Sequence, residues 1–168
     1  GSGTSPVAMA VPLTGLAPAT TYYFCALAQS SHGTSMGVVL SFTTPAAPPG
    51  VTTDAASDLT DTTASLNGTV NPNGSATTGW FRYSTSDPGV CDDSFGTRAP
   101  SSGGSSLGAG NTPVGYSIPV TGLSPATTYY YCAIASSAIG TSFGQVLSFT
   151  TPAAPTVTTE AGTTGTST

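Results

Sequence analysis

The chain contains no lysine, and Arg82 and Arg98 are its only cationic side chains apart from a single histidine. Charged residues make up 5% of the sequence, against about 25% in an ordinary globular protein. Two guanidinium groups cannot neutralise a run of phosphates, so the composition argues against nucleic-acid binding. Attraction to an anionic lipid surface fails for the same reason. No apolar run approaches the roughly 20 residues that a helix needs to cross a bilayer, and no membrane insertion is expected. Gly1 opens no signal peptide, so any export signal is expected upstream. One histidine and no CxxC pair leave a zinc site without a ligand set. No segment carries a helical period, and the expected fold is all-β, with no cofactor.

What the sequence does have is a repeat. VPLTGLAPATTYYFCALAQSSHGTSMGVVLSFTTPAAP, from Val11 to Pro48, returns almost unchanged as IPVTGLSPATTYYYCAIASSAIGTSFGQVLSFTTPAAP from Ile118 to Pro155. The spacing, cysteine to cysteine, is 132 − 25 = 107 residues with no gap. Gly1, Gly3, Pro6 and Val7 likewise fall on Gly108, Gly110, Pro113 and Val114, so the first residues read as native text rather than a tag. A fixed period of this kind signals tandem domains, and its size is that of one immunoglobulin-like sandwich. Residues 1–48 then form the C-terminal half of a repeat, 49–155 a complete one, and 156–168 a linker with the first strand of the next. A half sandwich leaves the apolar faces of its strands wet, so residues 1–48 are not expected to close a core alone. Preceding chain or another subunit is expected to supply the missing strands.

The cysteines fit this division. Cys91 and Cys132 fall in the complete unit, and Cys25 is the equivalent of Cys132. The equivalent of Cys91 for the first copy would stand at 91 − 107 = −16, outside the sequence, so Cys25 is left over without a partner here. A Cys91–Cys132 bridge is predicted within each unit, which implies an oxidising compartment and an extracellular or cell-surface location.

Within the complete unit, Val51 to Asp54 reads as a short strand, and Asp58 to Thr62 as a turn. Ala64, Leu66, Gly68 and Val70 then alternate with polar residues as in a half-buried strand. Asn71-Pro72-Asn73-Gly74 follows as a turn. In Gly79 to Ser84, Phe81 and Tyr83 share one face, Trp80 and Arg82 the other. Ser84 to Thr112 reads as one long irregular loop, fastened through Cys91. Val114, Tyr116, Ile118 and Val120 form an inward row, repeated by Val7, Met9, Val11 and Leu13, with Pro119 marking a sheet edge. Thr127 to Ser136 and Thr141 to Thr150 are the last strands, and Pro152-Ala153-Ala154-Pro155 is a stiff connector.

The SLNGTVNPNG text at Ser65 to Gly74, the pair Phe81 and Tyr83, the TGLSPATTYYY run from Thr121 and the GTSFG…FTTP ending resemble a fibronectin type III-like family of secreted bacterial proteins. The resemblance covers nearly all of the chain and implies tandem antiparallel sandwiches. It also implies that Tyr129, and Tyr22 in the first copy, pack at a sandwich corner.

Candidate sites are few. Trp80 and Arg82 on the outward face are a candidate contact patch for a sugar ring or a neighbouring subunit; the alternative is that the Ser84–Thr112 loop folds over them. Asp87, Asp92 and Asp93 around Cys91 are weak Ca²⁺ candidates, read more simply as turn-forming residues. Asn67 and Asn73 stand in N-glycosylation patterns. His32 aligns with Ile139 in the other copy, and no serine has an acid–base partner, so no catalytic residue is expected. The sequence points to a structural repeat of a secreted fibre, stalk or adhesin, with neighbouring repeats, identical subunits or glycans as candidate partners. The alternative is a carbohydrate-binding or spacer module of a secreted polysaccharide-degrading enzyme.

Overall fold

The computed structural model describes residue 5 and residues 7–160. Thirteen strands and no helix occur among them. Residues 1–4 and 6, and residues 161–168 of the expected next strand, lie outside the described residues.

Residues 7–48 carry four short strands. β1 (Thr21–Phe24) pairs with β4 (Leu40–Thr43), and β2 (Leu27–Ser30) pairs with β3 (Gly33–Met36), both antiparallel. Residues 49–151 carry nine: β5 (Gly50–Ser57), β6 (Thr63–Asn71), β7 (Thr77–Ser84), β8 (Thr97–Ala99), β9 (Ser105–Gly108), β10 (Val114–Thr121), β11 (Thr128–Ser137), β12 (Thr141–Phe143) and β13 (Leu147–Thr150). One sheet has the order β10-β6-β5. The other runs β12-β11-β7-β8, with β13 also pairing β11 and β9 also pairing β7. Every pairing is antiparallel.

The alternation in β6 drives the packing. Its burial switches residue by residue, with Ala64, Leu66, Gly68 and Val70 inside. Ala64 and Leu66 meet Phe81 of β7, Ile118 and Val120 of β10, and Tyr131 and Ala133 of β11, while Val70 packs with Leu107 and Ala135 in a smaller cluster, and Val51 and Tyr116 pack against both. Leu66, Phe81 and Tyr131 are fully buried, each contributing about 1.5–3 kcal/mol. β10 pairs only with β6, so Pro119 lies on an edge strand, where its missing donor costs no ladder bond. The Asn71–Gly74 turn forms as expected, with positive φ at Asn73 and Gly74.

Two expectations are corrected. Ser84–Thr112 is not wholly irregular: β8 and β9 within it both pair with β7, extending the second sheet. Thr141 to Thr150 is two strands rather than one, because the chain leaves the ladder at Gly144–Val146. At Gly144 the Thr53 side chain of β5 presses in, and a Cβ there would fall 2.3 Å from Thr53 Oγ1. The Gly144 N–H instead donates to Ala133 O at 2.8 Å.

The two ends of the complete unit lie at opposite poles. The Pro48 carbonyl accepts from Asn73 Nδ2, and Ala47 N donates to Asn73 O, beyond the far end of β6. Thr151 Oγ1 donates to Ser124 O, while Leu123 N donates to Thr62 O at the near end. The nine residues of β6 set these poles about 26 Å apart at roughly 3.3 Å per residue.

Candidate interaction surface

Both arginines and the one tryptophan converge on the outer face of the second sheet. Alternation along β7 puts Trp80 and Arg82 on that face, and Cys132 and Ile134 of β11 join them there. Cys91 bonds Cys132, closing a sequence separation of 41 residues, and this ties the loop after β7 down onto the sheet. Phe95 and Val146 pack against the same small cluster. Asp93, two residues past the bridge, accepts Trp80 Nε1 at 2.9 Å and Arg82 Nε at 2.8 Å. The Arg98 guanidinium lies 4.7 Å over the indole ring, held there by donating to the carbonyls of Pro100 and Gly103. Trp80 is left 8% exposed.

The patch of Trp80 and Arg82 is therefore not open, and the loop-covered alternative is the one found. Partial burial pushes the Asp93 carboxyl up, but the bonds from Arg82 and Trp80 and the charges of Arg82 and Arg98 outweigh it, leaving it below the usual carboxylate range. Sequence reasoning placed Trp80 and Arg82 on one face. It did not find Asp93 as their partner or Arg98 as their lid, since loop residues carry no period.

The remaining candidates are dispersed. Asp92 accepts from the Ser94 and Phe95 backbone and the Ser94 hydroxyl, which lower its pKa. Asp87 accepts from Gly89 N. Among the described residues no three carboxylate, imidazole or thiol groups come together, and the three aspartates serve local turns and the Trp80 cluster. Asn67 Nδ2 donates to Ala55 O and Ser57 Oγ, and Asn73 Nδ2 to Pro48 O, so both amide nitrogens of the glycosylation patterns are engaged. His32 sits exposed in the turn between β2 and β3, beside Ser31.

The large open surface lies in residues 7–48. Met9, Val11, Leu13, Leu16, Phe24, Cys25, Ala26, Leu27 and Phe42 line an apolar trough of about 730 Å³. Shifted by 107 residues these become Tyr116, Ile118, Val120, Leu123, Tyr131, Cys132, Ala133, Ile134 and Phe149. All of those are buried in the complete unit except Tyr116, which packs partly buried against the core and donates to Trp80 O.

The bonds among the strands of the first copy match those of the second. Ala19 N donates to Pro45 O as Ala126 N does to Pro152 O, each at 3.0 Å. Tyr22 Oη accepts Ala17 N, and Tyr129 Oη accepts Ser124 N, both at 2.9 Å, which is the corner contact the resemblance implied in both copies. The described strands of this copy include no counterparts of β5 to β9, and residues 7–14, the counterpart of β10, form no strand. Cys132 and Ala133 pair with Arg82 and Phe81 inside β11, whereas Cys25 and Ala26 have no such neighbour, and the strand breaks there into β1 and β2. Cys25 is an exposed free thiol.

No family model matches the chain, and no curated protein does. Among solved structures it is similar to the sensor domain of the anti-sigma factor RsgI4 in Pseudobacteroides cellulosolvens, at 21% identity and a TM-score of 0.42, covering 68% of this chain and 99% of that one. A solution structure of the same sensor domain gives 21% and 0.43, covering 68% and 92%. The extracellular region of rat CD45, domains d3-d4, gives 17% and 0.40, covering 89% and 73%.

Proposed function

We propose that this chain is a structural segment of a secreted surface fibre, stalk or adhesin shaft, built from sandwich units of the fibronectin type III-like kind that associate through exposed strands and unit-to-unit contacts. The observation that carries the reading is the return of one text, nearly unchanged, 107 residues along the chain, with the same strand pairings in both copies. Each apolar residue lining the trough has a counterpart that a complete unit covers. An exposed apolar face of this size is a place where other protein docks. A surface nearly without charge offers little repulsion against such contact. The Cys91–Cys132 bridge suits an oxidising, extracytoplasmic setting, and the work we assign to the molecule is mechanical rather than catalytic.

A saccharide-binding role would need an aromatic face open to a sugar ring. Trp80 lies under Arg98 and the bridged loop, so this second reading is not advanced.

Sedimentation and electron microscopy of the oxidised chain over a wide concentration range test the proposal. Species that grow with concentration are expected. Dispersed monomers at every concentration would refute self-association.

A further inference from the structure

The Asn71-Pro72-Asn73-Gly74 turn between β6 and β7 is where the complete unit holds the copy that precedes it. The turn is braced from behind by its own unit. Asn71 Oδ1 accepts the Asn73 N–H at 3.2 Å, and Asn71 Nδ2 donates to Asn111 O at 3.2 Å. Gly74 N donates to Gly110 O at 3.2 Å. In front, Asn73 bonds the linker twice. Its carbonyl accepts Ala47 N at 3.1 Å, and its Nδ2 donates to Pro48 O at 2.8 Å.

Shape matches as well as bonding. A Cβ on Gly74 would overlap the Ala19 methyl and stand 3.5 Å from the Ala46 methyl. Glycine therefore admits the two alanines, and its φ of +88° is one that glycine holds without strain. On the other flank of the linker, Gly140 in the turn between β11 and β12 leaves room for the Pro48 ring, 3.5 Å from where its Cβ would stand. Pro49, just past these contacts, is buried.

The receiving notch has the same shape with and without a turn seated in it. Ala19 has φ 43°, in the left-handed region that alanine seldom enters, and its counterpart Ala126 has φ 47°. Each is held by one bond, Ala19 N to Pro45 O and Ala126 N to Pro152 O. Ala19, Ala46 and Ala47 are half-buried, whereas Ala126, Ala153 and Ala154 are exposed. A notch formed in advance loses little conformational freedom on contact.

We propose that this turn and notch form a lock between successive units of one chain. The Asn71–Gly74 turn of one unit seats on Ala19, Ala46 and Ala47 of the unit before it and fixes the angle at which the two meet. The partner is thus the preceding repeat, recognised by two hydrogen bonds and a glycine-to-alanine fit. Proline alone stiffens a linker without setting its direction; bonds from a braced turn set the direction too.

The test uses the oxidised 168-residue chain at concentrations where it is monomeric, so that failure of the lock and failure of self-association are separate results. Amide residual dipolar couplings report whether β1–β4 and β5–β13 share one orientation, and amide exchange reports the Ala47 N–H. The parent chain should fit a single orientation, with Ala47 protected. Gly74→Ala should split the couplings into two independent sets and speed Ala47 exchange about tenfold, as expected for one lost hydrogen bond. Adding Ala19→Gly removes the opposing methyl and should restore both readings, although the backbone strain at residue 74 is still there. Two independent sets in the parent chain would overturn the inference. So would a Gly74→Ala chain that behaves like the parent. A double variant that behaves like the single would overturn it as well, because local strain and not the fit would then be responsible.

Discussion

Thr53→Val tests the strand-crossing contact with almost no change of shape. Thr53 is 7% exposed and its hydroxyl is the acceptor for Ala133 N, in a residue that is 0% exposed. Valine fills the same volume but accepts nothing, so the Ala133 N–H is left buried and unpaired, at a cost of about 1–3 kcal/mol. For a domain of this size each kcal/mol moves the thermal midpoint by roughly 4–8 °C, which places the expected fall near 10 °C. Thr53→Ser is the control: it keeps the hydroxyl and gives up one methyl, worth about 0.8 kcal/mol. Thermal and urea unfolding of the three oxidised proteins decide the matter, with an unchanged dependence on denaturant showing that the same surface unfolds in each. A valine variant as stable as the serine one would refute the claim that this hydroxyl holds the two sheets in register.

Removing the bridge as Cys91→Ser with Cys132→Ala should lower stability by about 4 kcal/mol from loop entropy over the 41-residue separation; a loss under about 1 kcal/mol in urea would show that the loop is held by the Trp80 cluster instead. The folded Asp93 carboxyl titrates below its unfolded value of about 3.9, so its stabilisation is complete above that value and is lost as pH falls through the folded one. Asp93→Asn should therefore flatten part of the acid unfolding curve, and identical acid limbs in the two proteins would rule out the assignment. Tyr129→Phe, which strands the Ser124 N–H, should cost about 1 kcal/mol. Tyr22→Phe should leave the main unfolding transition of the oxidised monomer in place, since its copy has no closed core; equal losses from the two would contradict that asymmetry.

Much of this fold could be read from period-two alternation. β6 buries alternate residues as its sequence prescribes, whereas β11 is buried on both faces from Tyr131 to Ala135, because the bridged loop and Trp80 cover the side of Cys132 and Ile134 that faces away from the core. β8 and β9 escaped notice because Thr97-Arg98-Ala99 and Ser105 to Gly108 show no apolar alternation; β7 recruits them as short edge partners. The break at Gly144 was hidden for a different reason. Phe143, Val146, Leu147 and Phe149 look continuous in the sequence, and only the approach of Thr53 from a strand 91 residues earlier (144 − 53) bends the chain. The Trp80 cluster was half legible: strand alternation put Trp80 beside Arg82, while Asp93 and Arg98 reach it through loop conformation.

The placement of the two ends at opposite poles bears on how the complete unit would respond to tension. A pull applied through Pro49 and Thr151 draws β5 along β6 and β13 along β11, each parallel to its own length. The rungs joining β5 to β6 are then sheared together instead of peeling one after another. Rupture then requires many of them to fail at once.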